Sequence, residues 1–305
     1  MKDERIKGLG TALVTPFTEQ GGLDYIALER LLRMQQDAEV DYVVVLGTTG
    51  EKATLDAEEI ESIQDNIIAY YNTQVPLVIG FGGNNTAEMC KTLHDLSYSP
   101  LEHCFDAMLS VCPYYVKPTQ EGLYQHFMAL NEESPWPIIL YNVPGRTGVN
   151  LLPETAMRLW QDSEGGIIGI KEASGNMEQI KQLIRLRDEY MAEHPDAPYF
   201  SILCGDDGLA LEAMNAGADG LISVASNAFP KDFMRLIHEK DSAIQDKYAE
   251  LIKLLFAEGN PVGIKAVLAE LGITDDQVRL PLVSSSDELH QKIKAELRHI
   301  GYRLG

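Results

Sequence analysis

Short apolar segments alternate with amphipathic stretches of helical period from the start of the chain to about residue 240. Uninterrupted apolar strands with helices between them are typical of a parallel sheet that is buried on both faces. Eight segments are predicted strands, at residues 11–14, 42–46, 77–80, 107–111, 138–141, 167–171, 200–204 and 220–224. Eight strand–helix units predict an α/β fold of the closed (β/α)8 barrel type. A doubly wound open sheet is the alternative, but no GxGxxG motif opens the first helix.

The arrangement of the helical stretches changes after residue 240. Before that point they lie between the predicted strands, for example at residues 24–38, 57–71, 87–97 and 177–190. Thr86 and Asn176 are the predicted N-caps of the last two. After it, three helical stretches follow one another without a strand, at residues 243–257, 261–271 and 287–302. We therefore predict a catalytic barrel over residues 1–240 and a C-terminal α-helical appendage over residues 241–305.

The composition is ordinary for a globular protein, but its surface is strongly acidic. Of the 305 residues, 45% are hydrophobic and 23% are charged, and the formal net charge is −21. Such a charge repels nucleic acid and anionic membranes, so neither is expected as a partner. It also repels an anionic substrate at long range. Local donors and a few cations must therefore hold any anion that binds.

The cysteines and histidines give no indication of a metal site. The seven histidines form no HxxxH or HxxEH motif. The four cysteines lack CxxC spacing and are expected to be free thiols, at Cys90, Cys104, Cys112 and Cys204. No apolar run approaches the roughly 18 residues that span a bilayer, and no apolar signal segment follows residues 1–5. We therefore expect a cytoplasmic protein without a metal.

Lys171 ends the sixth predicted strand and is followed by a turn through Ala173, Ser174 and Gly175. Side chains alternate along a strand, so Lys171 and Gly169 share a face, and Gly169 is expected to leave an empty volume beside the amine. A desolvated amine has a lowered pKa and can form a Schiff base with a carbonyl group. A lysine at the end of a strand that simply reaches solvent is the alternative for this residue taken alone.

Other residues capable of chemistry also follow predicted strands, where catalytic groups collect in a barrel. They lie in Gly47-Thr48-Thr49-Gly50-Glu51, Cys112-Pro113-Tyr114-Tyr115, Tyr141-Asn142-Val143-Pro144-Gly145-Arg146 and Gly205-Asp206-Asp207. Each has a structural explanation when taken alone: a turn, a packed tyrosine, a surface arginine or a helix cap. Taken together they supply an amine nucleophile, hydroxyls that can relay protons, backbone amides and a guanidinium.

The motifs GTTGE, YNVPGRTG and GIKEASGN, in this order and spacing, resemble the pyruvate-dependent class I aldolase superfamily. The resemblance extends from residues 15–17 to residues 260–265. Within the superfamily, the arginine after YNVP, Arg146, points to the dihydrodipicolinate synthase family. Aldolases of this superfamily that act on sialate or sugar acids generally lack that arginine, because their second substrate is a polyhydroxylated aldehyde.

The resemblance implies a lyase that needs no cofactor. Lys171 would form an imine and then an enamine with pyruvate, and the enamine would attack L-aspartate 4-semialdehyde to give 4-hydroxy-tetrahydrodipicolinate for lysine and diaminopimelate biosynthesis. One alternative is a pyruvate-dependent lyase that acts on N-acetylneuraminate or a 2-keto-3-deoxy sugar acid. Another is a binding protein on a barrel that has lost catalysis, although Lys171, Tyr141, Tyr115 and Thr48 are all present.

The same resemblance assigns the remaining residues. Thr48, Tyr141 and Tyr115 would form a proton relay in which Tyr115 comes from a neighbouring subunit. A homo-oligomer is therefore expected, most simply a tetramer of tight dimers. The predicted substrate-binding groups are the Thr49 hydroxyl for the pyruvate carboxylate, the Arg146 guanidinium for the semialdehyde carboxylate, and the backbone carbonyls of Gly205 and Ile222.

Feedback inhibition by lysine is expected to be weak or absent. The resemblance places the effector site of lysine-sensitive relatives near positions that Asn84, Glu88 and Tyr114 match. Three other positions depart from that pattern, at Lys52, Ala57 and Ile60. A lysine side chain at position 52 would bring a like charge towards a cationic ligand.

Overall fold

The computed structural model describes residues 6–70 and 75–304. Eight strands form a closed barrel in the order β1 to β8, which confirms the predicted fold class. The strands are β1 (Gly8–Ala12), β2 (Tyr42–Val45), β3 (Leu77–Phe81), β4 (Ala107–Val111), β5 (Ile138–Asn142), β6 (Ile167–Glu172), β7 (Ser201–Cys204) and β8 (Gly220–Ser223). All pairs for which a register is defined are parallel.

Twelve α-helices lie in the described residues. They are α1 (Tyr25–Asp37), α2 (Ala57–Tyr70), α3 (Thr86–Leu96), α4 (Gln120–Glu133), α5 (Pro144–Thr147), α6 (Pro153–Asp162), α7 (Met177–Glu193), α8 (Ala210–Ala216), α9 (Pro230–Glu239), α10 (Ser242–Phe256), α11 (Val262–Glu270) and α12 (Asp287–His299). The predicted helical stretches are confirmed to within a few residues at each end. Residue 71, the last of the predicted stretch 57–71, lies outside the described residues.

Two local predictions need correction. The first strand runs from Gly8 to Ala12 and not over residues 11–14, and Gly10 within it pairs with Tyr42 of β2. A Cβ at Gly10 would lie 2.1 Å from the Tyr42 ring, so glycine permits this close packing. The N-cap of α3 is Asn85 and not Thr86, since the Asn85 side chain accepts the backbone N–H of Glu88. The predicted N-cap Asn176 of α7 is confirmed.

The described chain divides into two compact units. The β3–β8 unit contains the described residues up to Gly8 and Leu77–Ile222, and the β1–β2 unit contains Leu9–Pro76 and the described residues from Ser223 onward. The predicted division at residue 240 is based on where strands cease to alternate with helices along the chain. It differs in kind from these two units and stays a prediction. The helices of the appendage, α10 to α12, belong to the β1–β2 unit.

In the β3–β8 unit, every residue of β5 and β6 is buried. The register between these strands shifts after Ile138, and beyond the shift Tyr141 pairs with Lys171 and Asn142 with Glu172. Because side chains alternate along a strand, Tyr141 and Lys171 share one face of the sheet, and Asn142 and Glu172 share the other. This register sets the geometry of the candidate site.

In the β1–β2 unit, α11 is apolar on nearly all sides, and residues 262–268 are all buried. A helix of this kind is a core element and not a surface cover. Its one charged residue in this stretch, Lys265, is completely buried. None of the described helices is both long and apolar enough to cross a lipid bilayer.

Candidate active site

Tyr141 and Lys171 lie side by side near the carboxyl ends of β5 and β6. Both side chains are buried, each with 7% of its surface exposed. The Lys171 Nζ lies 4.5 Å from the centroid of the Tyr141 ring. The amine therefore lies over the aromatic face of Tyr141, so a candidate nucleophile and a candidate proton carrier are neighbours.

The space around Lys171 comes from a different glycine than the sequence predicted. A Cβ at Gly169 would lie 2.6 Å from the carbonyl oxygen of Ser201, so that position is filled by β7 and leaves no empty volume. A Cβ at Gly205 would lie 3.0 Å from the Lys171 Cε and 2.5 Å from the Ala173 Cβ. Gly205 thus makes room for the lysine side chain, and its own N–H donates to the carbonyl oxygen of Glu172 at 2.8 Å.

Glu172, the residue after Lys171, is a buried carboxylate that the sequence analysis did not single out. It is 1% exposed and forms no ion pair with any described residue. Three neutral donors hold it: Asn142 Nδ2 at 2.8 Å, Gln179 Nε2 at 2.7 Å and the backbone N–H of Ser174 at 2.7 Å. The predicted site residues Tyr141 and Lys171 are each followed by a polar residue, Asn142 and Glu172. This repeated pattern is the sequence signal that could have revealed the pair.

The Glu172 cluster extends into the loop after α5. Asn142 Nδ2 donates to Asn150 Oδ1 at 2.7 Å, and Asn150 Nδ2 donates to Gln179 Oε1 at 2.9 Å. Asn142 Oδ1 accepts the backbone N–H of Leu151 at 2.9 Å. Because Asn142 and Glu172 immediately follow Tyr141 and Lys171, this hydrogen-bonded cluster fixes the two strand ends on which the site residues stand.

The two buried cysteines next to this region are not candidate nucleophiles. Burial first, and then the charge of Glu172, raise the pKa of Cys112 to about 12. Burial is also the main cause that raises the pKa of Cys204 to about 12. Both thiols are therefore protonated at neutral pH. None of the four cysteines forms a disulfide bond, and no described group of three or more His, Cys, Asp or Glu side chains is placed to hold a metal ion.

Arg146 stands on α5, a helix of four residues that begins with Pro144. Its side chain is exposed, and its guanidinium makes no ion pair or hydrogen bond with residues 6–70 or 75–304. The helix is closed by its own hydrogen bond from the backbone N–H of Thr147 to the carbonyl oxygen of Val143 at 3.1 Å, and the Thr147 carbonyl oxygen holds it to the neighbouring loop by accepting the backbone N–H of Tyr115 at 3.2 Å. An unpaired guanidinium on a fixed short helix is suited to bind a carboxylate.

Tyr115 is on the surface of its own chain. Its side chain is 88% exposed, and the neighbouring Tyr114 and Val116 are 43% and 57% exposed. Its φ of 72° is unusual for a bulky residue and costs about 1 kcal/mol. Its backbone N–H donates to the carbonyl oxygen of Thr147 at 3.2 Å, which joins this loop to α5. The structure does not bring the Tyr115 side chain into the buried pair of Tyr141 and Lys171 in the same chain.

The remaining predicted residue of this unit is Ile222, which lies in β8 and is 1% exposed. Asp206 was expected to cap the following helix. Its carboxylate accepts the backbone N–H of Gly208 at 2.8 Å, so Asp206 caps the short 3-10 helix Asp207–Leu209 that precedes α8. The N-cap of α8 itself is Leu209, which makes no side-chain capping hydrogen bond. Within the β3–β8 unit, the structure therefore brings together Lys171, Tyr141 and Gly205, and it joins the backbones that carry Tyr115 and Arg146.

Thr48 and Thr49 belong to the β1–β2 unit, in the turn that follows β2. The Thr48 side chain is exposed, and Thr49 is 4% exposed. The Thr49 hydroxyl oxygen accepts a hydrogen bond from Asn260 Nδ2 at 2.9 Å. The Thr15 hydroxyl donates to the carbonyl oxygen of Gly50 at 2.7 Å. The turn is thus fixed from two sides by residues of its own unit.

Glu51 closes the same turn and forms a buried ion pair. Its Oε1 lies 2.5 Å from the Lys265 Nζ, and the two side chains are 1% and 0% exposed. Lys265 also donates to the carbonyl oxygen of Gln277 at 2.7 Å, and its Nζ lies 4.1 Å from the centroid of the Phe17 ring. Desolvation lowers the pKa of Lys265 to about 8, against the opposing effect of Glu51. The sequence analysis did not identify this pair.

Comparison with known proteins assigns the chain to a family. The model of the dihydrodipicolinate synthetase family matches residues 5–300. The chain is 40% identical to a 4-hydroxy-tetrahydrodipicolinate synthase from Parabacteroides distasonis, over 99% of this chain and all of the relative. A dihydrodipicolinate synthase structure from Thermotoga maritima is 37% identical, with a TM-score of 0.88 over 97% of this chain and 99% of that one.

A chloride-inhibited dihydrodipicolinate synthase from Acinetobacter baumannii, solved in complex with pyruvate, is 36% identical. Its TM-score is 0.88, over 97% of this chain and 99% of that chain. The present chain belongs to the dihydrodipicolinate synthetase family. The family resemblance drawn from GTTGE, YNVPGRTG and GIKEASGN is confirmed.

Proposed function

We propose that this protein catalyses the 4-hydroxy-tetrahydrodipicolinate synthase reaction, the condensation of pyruvate with L-aspartate 4-semialdehyde. The observation that carries the proposal is the buried Lys171 amine, 4.5 Å from the ring centroid of Tyr141, in a chain of the dihydrodipicolinate synthetase family. An amine in this position can act as the nucleophile in Schiff-base formation with a ketone.

The proposed reaction begins when the Lys171 nitrogen attacks the ketone carbon of pyruvate. Loss of one water gives an imine, and loss of a proton from the methyl group gives the enamine. The enamine carbon then forms a carbon–carbon bond with the aldehyde carbon of the semialdehyde, whose oxygen takes up a proton. The amino group of the semialdehyde finally displaces the lysine nitrogen, so the ring closes and the free Lys171 amine returns.

Tyr141, Thr48 and Tyr115 are the proposed proton relay. The position of Tyr141 beside Lys171 supports its place nearest the imine. A phenol with a pKa near 10 is a weak base alone, so coupling to further hydroxyls makes the transfer easier. The exposure of Tyr115, with Tyr114 and Val116 beside it, supports the proposal that Tyr115 completes the site of a neighbouring subunit. The protein is accordingly proposed to be a homo-oligomer, and specifically a tetramer of dimers.

The two substrate carboxylates are assigned to different groups. Thr49, through its hydroxyl and the amides of its turn, is proposed to bind the pyruvate carboxylate. Arg146 is proposed to bind the carboxylate of the semialdehyde, and its exposure without an ion-pair partner among the described residues supports this role. The carbonyl oxygens of Gly205 and Ile222 are proposed to line the same pocket. The charge of −21 opposes binding to nucleic acid and anionic membranes, so neither is proposed as a partner. Four cysteines without a disulfide bond support the proposal of a cytoplasmic enzyme.

The test is a condensation assay with purified protein, pyruvate and L-aspartate 4-semialdehyde. We expect turnover that is lost in Lys171→Ala and kept in Lys181→Ala, since Lys181 is an exposed lysine on the following helix. Parallel assays of cleavage use N-acetylneuraminate and 2-keto-3-deoxygluconate. Faster cleavage of either sugar acid than condensation with the semialdehyde would reject the proposal in favour of the alternative lyase.

A further inference from the structure

Asn260 is a buried side chain in the C-terminal helical region, between α10 and α11 and immediately before Pro261. It is 7% exposed, and its Nδ2 donates to the Thr49 hydroxyl oxygen at 2.9 Å. Its Oδ1 is buried and accepts no hydrogen bond from the residues that the structure describes. An asparagine with half of its amide unsatisfied is costly to bury, so its presence at this position calls for an explanation.

The hydrogen bond from Asn260 determines what the Thr49 hydroxyl can do. An amide nitrogen only donates, so the Thr49 oxygen must be the acceptor in this contact. The single hydroxyl proton of Thr49 must then point elsewhere, and it has no acceptor among residues 6–70 and 75–304. A hydroxyl whose oxygen is already occupied by a donor is pre-oriented to donate, and a carboxylate is a pure acceptor.

We propose that Asn260 is a positioning residue that orients the Thr49 hydroxyl as a donor to the carboxylate of the 2-oxo acid substrate. The proposal rests on the proposed function, in which Thr49 binds the pyruvate carboxylate. It gives part of the C-terminal region a task in substrate binding, whereas the sequence analysis treated that region as an appendage to the barrel.

The geometry of the turn supports this role, because the same C-terminal region holds the turn at a second position. Glu51 has a left-handed backbone with φ of 52°, a conformation that non-glycine residues avoid. The ion pair with Lys265 holds the Glu51 carboxylate, and the backbone N–H of Arg279 donates to its Oε2 at 3.1 Å. Thr49 therefore lies in a turn whose position and hydroxyl direction are both set by residues 260–279.

Asn260→Asp is the discriminating substitution because aspartate has the same shape but can only accept. The Thr49 hydroxyl would then donate to the carboxylate at position 260 and would no longer be available to pyruvate. We expect KM for pyruvate to rise about tenfold or more, KM for the semialdehyde to change less than about twofold, and kcat at saturating pyruvate to fall little. If the native amide had the opposite orientation, aspartate would accept from Thr49 as asparagine does, and KM for pyruvate would not rise.

A double-mutant cycle separates orientation from simple charge repulsion. Thr49→Val removes the hydroxyl, so Asn260→Asp in that background should raise KM for pyruvate by less than about twofold. Repulsion or local distortion would raise it about as much in both backgrounds, which would overturn the proposal. Asn260→Ala is the second variant should the aspartate variant fail to fold. It lets the hydroxyl rotate freely, and we expect a smaller rise in KM that also disappears in the Thr49→Val background.

The same proteins are treated with borohydride over a series of pyruvate concentrations, and adduct at Lys171 is quantified. Wild-type protein without an adduct would reject the proposed function itself. If wild-type protein forms the adduct and Asn260→Asp forms it with the same dependence on pyruvate concentration, only the role of Asn260 is rejected. The proposal predicts that the single variant Asn260→Asp needs about tenfold more pyruvate than wild-type protein to form the same amount of adduct. In the Thr49→Val background, Asn260→Asp should cause no such shift.

Discussion

Two buried glutamates, Glu172 and Glu51, each stand within two residues of a predicted site residue, and the protein stabilises their charges in different ways. Glu172 follows Lys171 and is held by three neutral N–H donors, without a cation among the described residues. Glu51 follows the turn of Thr48 and Thr49 and is paired with the ammonium of Lys265 at 2.5 Å. One cluster therefore keeps a net negative charge, and the other is a neutral pair.

The difference shows what each region needs. Neutral donors hold Glu172, and with it the end of β6, without placing a cation beside Lys171, the proposed nucleophile. The turn of Thr49 has no nucleophile to protect. There, an ion pair within the core fixes an unfavourable backbone conformation, as its geometry and burial indicate.

The largest stability effect is expected from a matched pair of substitutions, Glu51→Gln and Glu172→Gln. Glu51→Gln leaves the buried Lys265 charge without its partner, and we expect a loss of about 3–5 kcal/mol in the free energy of unfolding. Glu172→Gln removes a charge that has no cationic partner but turns an N–H group towards existing donors, and we expect a loss of about 1–3 kcal/mol. Urea denaturation at pH 7 measures both.

The control for this comparison is the double variant of Glu51→Gln with Lys265→Met. Replacing both charges removes the unpaired ammonium, so part of the stability lost in the single variant should return. Equal losses in the two glutamate variants, or a further loss in the double variant, would show that the two clusters do not differ in the way described.

A buried group that is neutral sharpens the comparison with the two charged glutamates. His126 on α4 contacts the Thr86 hydroxyl through Nδ1 at 2.8 Å, and burial lowers its pKa to about 4. The unfolded chain binds this proton near pH 6.5, so between pH 6.5 and 4 the unfolded state binds more protons and stability falls as the pH falls.

We expect His126 to account for a loss of about 3 kcal/mol over that interval of pH. His126→Gln keeps a polar group of similar size without a titratable ring, so its free energy of unfolding should depend less steeply on pH between 6.5 and 4. The exposed His103 is the control, and His103→Gln should leave the pH dependence unchanged. Identical slopes in wild-type protein and His126→Gln would contradict the assignment.

Arg146 is the opposite case to both glutamates, an exposed charge without an ion-pair partner among the described residues. A charge-assisted bidentate pair with the semialdehyde carboxylate contributes about 1.5–3 kcal/mol, so Arg146→Ala should lower kcat/KM for the semialdehyde at least about tenfold. Arg146→Lys should recover only part of it, because an ammonium lacks the planar fork. Borohydride trapping of pyruvate should persist in both variants; its loss would mean that Arg146 serves pyruvate instead.

The smallest effect is expected from added lysine. The family resemblance predicts that Lys52 stands where lysine-sensitive relatives carry a small hydroxyl-bearing residue. Desolvation lowers the pKa of Lys52 to about 8, so most of its amine remains charged at pH 7. We expect initial rates to change little up to millimolar lysine. Lys52→Ser should increase the sensitivity. Strong inhibition of wild-type protein below millimolar lysine would show that Lys52 does not repel the effector.

The sequence predicted the barrel and the strand-end residues because both depend on local pattern. Alternating apolar segments locate strands, and strand ends locate Lys171 and Tyr141. The contacts that fix those residues depend on partners far apart in the chain. Thr49 and Asn260 are separated by 211 positions, and no periodicity relates them.

The sequence pattern also could not predict where two backbone segments approach each other closely. The sequence does not show whether Gly169 or Gly205 makes room for Lys171. Only the packing shows that Gly169 accommodates the backbone of Ser201 while Gly205 accommodates the Lys171 side chain. Gly10 likewise resembles a strand breaker in sequence and is a strand residue in the structure. In each case the deciding quantity is a distance between elements, which depends on register and not on composition.

The central claim is that Lys171 carries the imine, and peptide mapping after borohydride reduction in the presence of pyruvate tests it most directly. Mass spectrometry should find the mass of pyruvic acid less one oxygen atom on the peptide that contains Lys171, in proportion to the activity lost. The buried Lys265, whose pKa is lowered to about 8, is the internal control and should stay unmodified. An adduct on Lys265 or on any other lysine, with Lys171 unmodified and activity lost, would contradict the account.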